Sequence, residues 1–261
     1  MKRTTRKKLI RFSMYGVLVA VFGAVVVFAD WGKLGSAFFN VQIAADMFPK
    51  VLTIAARNTA VYTLLAFALG LVLALVLALM KMSTIGPYRW MAIAYIELFR
   101  GLPALVTLIF VGYALPIALG WQIPGGTLGQ GSIGLGIVAG AYMAETIRAG
   151  VEAVPRGQME AARSLGMSWA KAMTYIVLPQ AFRIIIPPLT NELVLLIKDT
   201  SLFFVLGTTP VSKELTKFGR DLMGQRFNGT PLVVIALVYL AITLPLTYTV
   251  ARLEKKTAAA R

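Results

Sequence analysis

Glu192, Lys198 and Asp199 stand in a stretch, 187–208, that is otherwise apolar apart from hydroxyl and amide side chains. Ionisable groups in such a setting are costly unless they face a cavity or a partner, so each is a candidate functional residue. Glu192 and Asp199 are seven residues apart, close to two helical turns, which puts both carboxyls on one face of a helix. Flanking a water-filled cavity, they suit an ammonium or guanidinium group, and the adjoining Thr200 and Ser201 offer hydroxyls to a carboxylate. A cationic or zwitterionic amino acid satisfies both. A structural reading stands beside this one: Lys198 neutralises a neighbour on another helix or subunit, and Glu192 orders a helix end near the membrane surface. Two further charge pairs, Glu97 with Arg100 and Glu145 with Arg148, are each three apart and would meet along one helix face as structural or gating contacts.

Other chemistry is excluded by composition. The chain has no cysteine and no histidine. Disulfides, thiolate nucleophiles, imidazole bases and the usual transition-metal sites are therefore ruled out. Gly129-Gln130-Gly131-Ser132-Ile133-Gly134 fits the spacing of a dinucleotide loop. No strand precedes it, and a flexible turn with close helix packing is the better reading. The sequence also lacks a glycine-rich loop ending in Gly-Lys-Ser/Thr, so any ATP must be handled by a partner.

The elements that position these residues are apolar blocks. Of 261 residues, 58% are apolar and 14% charged, with a net charge of +15; the mean hydropathy is +0.75. A helix needs about 20 apolar residues to cross a bilayer. Six blocks are candidates: 12–29, 51–80, 91–119, 133–150, 187–208 and 232–251. Basic residues next to a span are retained on the cytoplasmic side. Lys2, Arg3, Arg6, Lys7, Lys8 and Arg11 place the N-terminus inside; Lys81 and Arg89, then Arg252, Lys255, Lys256 and Arg261, agree with six crossings that return the C-terminus inside. Lys213, Lys217, Arg220 and Arg226, partly offset by Glu214 and Asp221, dilute the bias without reversing it. Basic residues scattered in this way set orientation rather than bind nucleic acid. The first block also resembles a secretory signal, with Val27-Phe28-Ala29 before Asp30, but its apolar run exceeds the usual length and favours a retained anchor. No internal repeat of the kind that builds secondary transporters is visible.

The connection 151–186 alternates charged, small and apolar residues and is expected to form two short helices. Pro155 suits a first helical turn. Met159, Ala162 and Leu165 then share one side. Gly166 can take the left-handed conformation that ends a helix, and Ser168 can cap a second one running through Trp169, Met173 and Ile176 toward Pro179. A helix-glycine-helix elbow results.

Glu160-Ala161-Ala162, Gly166, Ile176 and Leu178-Pro179 resemble, with their spacing, the EAA loop of importer permeases of the ATP-binding cassette superfamily. Phe99-Arg100-Gly101-Leu102-Pro103, Ala144-Glu145-Thr146-Ile147-Arg148-Ala149-Gly150, Pro155-Arg156-Gly157-Gln158, Pro179-Gln180-Ala181 and Lys198-Asp199-Thr200-Ser201-Leu202 resemble the polar-amino-acid branch of that family. The likeness covers roughly 50–255. It implies an all-α integral membrane protein with a five-helix core at 51–255. A basic N-terminus with an extra helix occupies 1–50, and a cytoplasmic tail 256–261.

The resemblance further implies that Glu160, Ala161, Ala162, Leu165 and Gly166 form a coupling helix seated on an ATPase dimer. ATP and Mg are used there, and no cofactor is bound by this chain. A second permease subunit, identical or related, an extracytoplasmic amino-acid-binding protein and membrane lipid complete the expected partners, in the bacterial cytoplasmic membrane. Two rival classes differ in what they require. An ion-coupled carrier would use Glu192, Asp199 and Glu145 as a relay, and a membrane-embedded enzyme would need a converging nucleophile or metal constellation that the sequence does not show.

Overall fold

A computed structural model describes residues 3–120 and 123–259, with the side chains of 11–120 and 123–255. The basic side chains at 2–8, Lys256, Arg261 and the rest of the tail 256–261 lie outside the described side chains. Among the described residues eleven helices follow one another: α1 (Arg3–Phe28), α2 (Trp31–Phe38), α3 (Val41–Met47), α4 (Val51–Met82), α5 (Gly86–Gly101), α6 (Ala104–Leu119), α7 (Thr127–Glu152), α8 (Arg156–Ser164), α9 (Trp169–Val205), α10 (Leu215–Arg226) and α11 (Thr230–Ala259). By length and apolarity, α1, α4, α9 and α11 qualify as membrane spans, and the bent pair α5 and α6 makes a fifth if counted as one.

The block 91–119 was expected to be one span, and it is instead broken. Leu102 and Pro103 are extended, with ψ of 141° and 135°, and α5 and α6 meet at 105°. Proline lacks the N–H that would continue the ladder and disfavours helical backbone at the residue before it. The block 187–208 was expected to begin at Pro187, but α9 begins at Trp169 and passes through Pro179, Pro187 and Pro188. A π turn at Met173–Val177 precedes Pro179, so the proline falls where the helical bonding is already re-registered. The second short helix expected within 151–186 is thus the first part of α9, continuous with the block that follows.

Helix α7 lies at the centre, packed against α4, and glycines occupy its contact face. A Cβ at Gly136 would meet Leu69 Cβ at 3.1 Å and the Ala66 carbonyl at 3.3 Å, while one at Gly70 of α4 would meet the Gly136 carbonyl at 3.1 Å and Met143 at 2.7 Å. Small residues let the two backbones approach, and dispersion contacts then hold them where the solvent is as apolar as the side chains. Tyr62, Ala66, Leu135, Ala139, Met143 and Phe203 belong to the core that surrounds this seam.

The ends of the bundle are fixed by polar contacts. At the elbow end, Lys81 of α4 reaches Glu145 of α7 at 2.7 Å. At the far end, Asn58 donates to the Val211 and Lys213 carbonyls at 2.8 and 3.0 Å, Tyr62 to the Ser212 carbonyl at 2.6 Å, and the Leu215 amide to Thr59 at 3.2 Å. Glu214, fully buried, caps α10 by accepting from the Thr216 and Lys217 amides at 2.5 and 2.6 Å. Helices α2 and α3 attach to the start of α11 through Gly229 N to Ala37 O at 2.7 Å and Asn40 N to Thr230 at 3.0 Å. By contrast, the apolar stretch Arg11–Phe28 of α1 buries none of its residues.

Two outcomes follow from this packing. Gly136→Val forces the α4 and α7 backbones apart and should cost about 1–3 kcal/mol, read as a lowered unfolding temperature of the detergent-solubilised protein. Burial pushes the Glu214 carboxyl up from its ordinary 4.5 to about 7, against the pull of its amide donors. The folded protein then holds this proton more tightly than the unfolded chain. Its contribution is complete below about pH 4.5 and is lost as the pH rises through about 7. Thermal stability should fall between pH 5 and pH 8, and Glu214→Gln should flatten that slope.

Candidate functional site

The elbow forms as its residue types require. Helix α8 ends on Gly166 at φ +84°, with the Met167 amide bonded to the Ala162 carbonyl at 3.1 Å and the Gly166 amide to the Arg163 carbonyl at 3.0 Å. This closing pattern needs a left-handed residue, which glycine supplies without a Cβ clash. Ser168 then caps α9 by accepting from the Lys171 amide at 3.3 Å.

Glu160, Ala161 and Gly166 are exposed, and Leu165 is 85% exposed. Ala162 is buried and faces the bundle, on the side where Met159 packs against the core. Leu165, expected to share that side, points outward instead, because the helix has begun to unwind at its closing turn. The result is an apolar knob beside an acidic residue at the very end of the molecule.

Behind the elbow lies a chain of charges. Glu145 pairs with Arg148, as its spacing suggests, and also with Lys81; Arg148 in turn pairs with Glu152, the last residue of α7. Two cations and two carboxylates thus link α4, α7 and the entrance to α8. Glu97 and Arg100 form no ion pair. Glu97 is exposed, and Arg100 turns instead over the ring of Tyr142, 5.6 Å from its centroid.

A cavity of about 340 Å³ opens where α5 and α6 break, lined by Leu102, Pro103, Leu135, Tyr142, Glu192 and Asp199 among others. Both carboxyls of α9 therefore reach one space, as their seven-residue spacing requires. Leu195 and Leu196 lie between them on the wall, so the lining is apolar with two acidic groups about 10 Å apart along the helix axis. Thr200 and Ser201 do not line it. Thr200 is fully buried and donates to the Ile197 carbonyl at 2.7 Å, since the helix tightens to a 3₁₀ turn over Thr200–Val205. Lys198 is exposed on the other side of α9. No cluster of three or more possible metal ligands occurs among the described residues.

Three signals were missed by spacing alone. Lys81 joins Glu145 across 64 residues, a contact without local sequence trace. The break at Leu102 and Pro103 builds a cavity wall, where a lone proline suggests only a kink. The lining tyrosine, Tyr142, carries no charge to mark it.

The fold and several motifs recur elsewhere. Residues 66–259 match the family described as binding-protein-dependent transport system inner membrane component. The arginine transport system permease protein of Corynebacterium glutamicum is 38% identical over 224 residues, covering 82% of this chain and 67% of that protein. The glutamine transport system permease protein of Escherichia coli is 34% identical over 204 residues, covering 77% and 90%. A crystal structure of an amino acid ABC transporter with histidines superposes with a TM-score of 0.73 at 35% identity, over 81% of this chain and 96% of that one. An inward-facing methionine ABC transporter, 17% identical with a TM-score of 0.67, shares the fold. With three quarters of its length matched and relatives above 30% identity on both sides of the comparison, the chain belongs to the family of bacterial inner membrane components of binding-protein-dependent transport systems.

Proposed function

We propose that this chain is the permease subunit of an ATP-binding-cassette importer that moves polar amino acids inward by alternating access. The observation that carries the reading is the pairing of an exposed, glycine-closed elbow at one end of α7 with an acidic cavity further along the same helix. The elbow suits a lever seated on a nucleotide-hydrolysing partner, with Glu160, Ala161, Leu165 and Gly166 as the contacts and Ala162 as the packing residue beneath them. Relatives that carry arginine or glutamine by name support a cargo with an α-amino acid head.

In this reading α7 crosses the membrane as well, shielded from lipid by its neighbours, so α1, α4, the α5/α6 pair, α7, α9 and α11 make six crossings. Both termini and the elbow then lie in the cytoplasm. That arrangement agrees with the structure's internal parity: α4 and α7 both start at the far end, hydrogen-bonded to the 207–213 turn, and run toward the elbow end, while α11 starts at a separate turn, at Asn40. ATP and Mg belong to an ATPase dimer, a second permease subunit completes the pathway, and an external binding protein delivers the solute. The ion pairs from Lys81 to Glu152 transmit elbow displacement into the α4 and α7 pair.

Broken helices beside a polar site are a way to place functional groups at membrane depth, because irregular backbone is tolerated where it lines a cavity. Glu192 and Asp199 there favour a cationic or zwitterionic cargo over an anionic one.

The assembled complex, supplied with its binding protein, tests the cargo. Arginine and glutamine should stimulate ATP hydrolysis more than glutamate does, and Glu192→Gln with Asp199→Asn should lower import of a cationic amino acid by tenfold or more. A strong preference for glutamate contradicts the role given to the two carboxyls. Gly166→Val should strain the elbow and cut transport severalfold with ATPase coupling impaired; a correctly inserted variant with normal transport and normal coupling removes the lever.

A further inference from the structure

A second cavity, of about 460 Å³, lies at the far end of the bundle and plays no part in the site described above. Its position is fixed by Thr127, the first residue of α7, which donates to the carbonyl of Gly207 on the cavity wall. Helix α7 has 26 residues, so this wall stands about 39 Å from Glu152 and the elbow. Lys213, Lys217 and Asp221 line the space together with Tyr113 and Phe204.

The charges do not cancel. Asp221 accepts Lys213 on one oxygen at 2.6 Å and Lys217 on the other at 3.0 Å. One carboxylate therefore faces two ammonium groups, and the cluster keeps a net positive charge. The three side chains are only 22–29% exposed, so this excess acts in a partly desolvated space where charges attract more strongly than in water. Arg220 adds a further cation, stacked 4.5 Å from the centroid of the Phe204 ring.

One short segment connects this cavity to the acidic one. Asp199 lines the inner cavity, and Phe204 and Val205 line the outer. Between them the 3₁₀ turn Thr200–Val205 spans roughly 12 Å. Phe203 in its middle is fully buried. Its ring lies 5.3 Å from that of Tyr62, and a Cβ at Gly131 would fall 2.2 Å from it. A fully buried aromatic side chain, seated on a glycine, thus lies in the segment that joins the lining of the acidic cavity to that of the basic one.

We propose that the outer cavity is a receiving site for the α-carboxylate of the incoming solute, held by Lys217 and Lys213, from which the amino acid passes Phe203 to the Glu192 and Asp199 cavity. This rests on the reading of the chain as an amino-acid importer. The two cavities then recognise opposite ends of one zwitterion in sequence.

Lys217→Gln in the complete complex, reconstituted in vesicles with its ATPase and binding protein, tests the site while keeping the Lys213 and Asp221 ion pair. Import of labelled amino acid should fall fivefold or more, ATP hydrolysis stimulated by the loaded binding protein should stay within twofold, and Lys217→Arg should restore import to within twofold. Unchanged import in Lys217→Gln overturns the receiving site alone. A parallel loss of import and of stimulation overturns it in favour of a docking contact for the binding protein. Should the wild-type complex hydrolyse ATP yet import no amino acid, the functional reading falls and this site falls with it.

Discussion

Close approach of two helix backbones, α4 and α7 at Gly70 and Gly136, is the contact on which the rest of the molecule depends. In lipid there is no hydrophobic gain from bringing one apolar helix against another, so tight packing and satisfied polar groups must hold the bundle. The seam of small residues supplies that packing. Helix α7 is covered by its neighbours along much of its length. Its buried position also makes it a strut. One end is fixed to the turn at Gly207, the other carries Glu145, Arg148 and Glu152 to the edge of the elbow, and its middle forms a wall of the acidic cavity.

The functional parts are departures from regular helix, each with a local chemical cause. Pro103 ends α5 and lets the chain turn sharply, which opens the space that Glu192 and Asp199 face. Gly166 closes α8 in a conformation that an L side chain rarely adopts. The 3₁₀ turn after Asp199 withdraws Thr200 from the cavity and seats Phe203 against Gly131. Irregular backbone thus occurs next to cavities, at the elbow, and as π turns within α4, α6 and α9.

Local chemistry made much of this legible in the sequence. Gly166 and Ser168 mark the elbow because their preferences act over one turn, and the seven-residue spacing of Glu192 and Asp199 survives as a shared cavity. Glu145 and Arg148 pair as neighbours on a helix must. Contacts that depend on distant residues were not legible: Lys81 with Glu145, Arg100 with Tyr142 in place of Glu97, and the burial of Glu214 among groups from α4, α10 and α11. The prolines misled in both directions. Pro103 breaks a helix that its apolar surroundings suggest is continuous, whereas Pro179, Pro187 and Pro188 sit within one despite their missing N–H groups. A proline states which hydrogen bond is lost, and only the surrounding packing decides whether the helix bends, re-registers or stops.

The central claim is that this bundle moves solute only when an attached nucleotide-hydrolysing partner moves its elbow. Vesicles containing the complete complex, with ATP enclosed and loaded binding protein outside, measure it directly. Uptake of labelled amino acid should require ATP and the binding protein together and should persist when proton and sodium gradients are collapsed. Uptake by this chain alone, driven by an ion gradient and indifferent to ATP, would contradict the account.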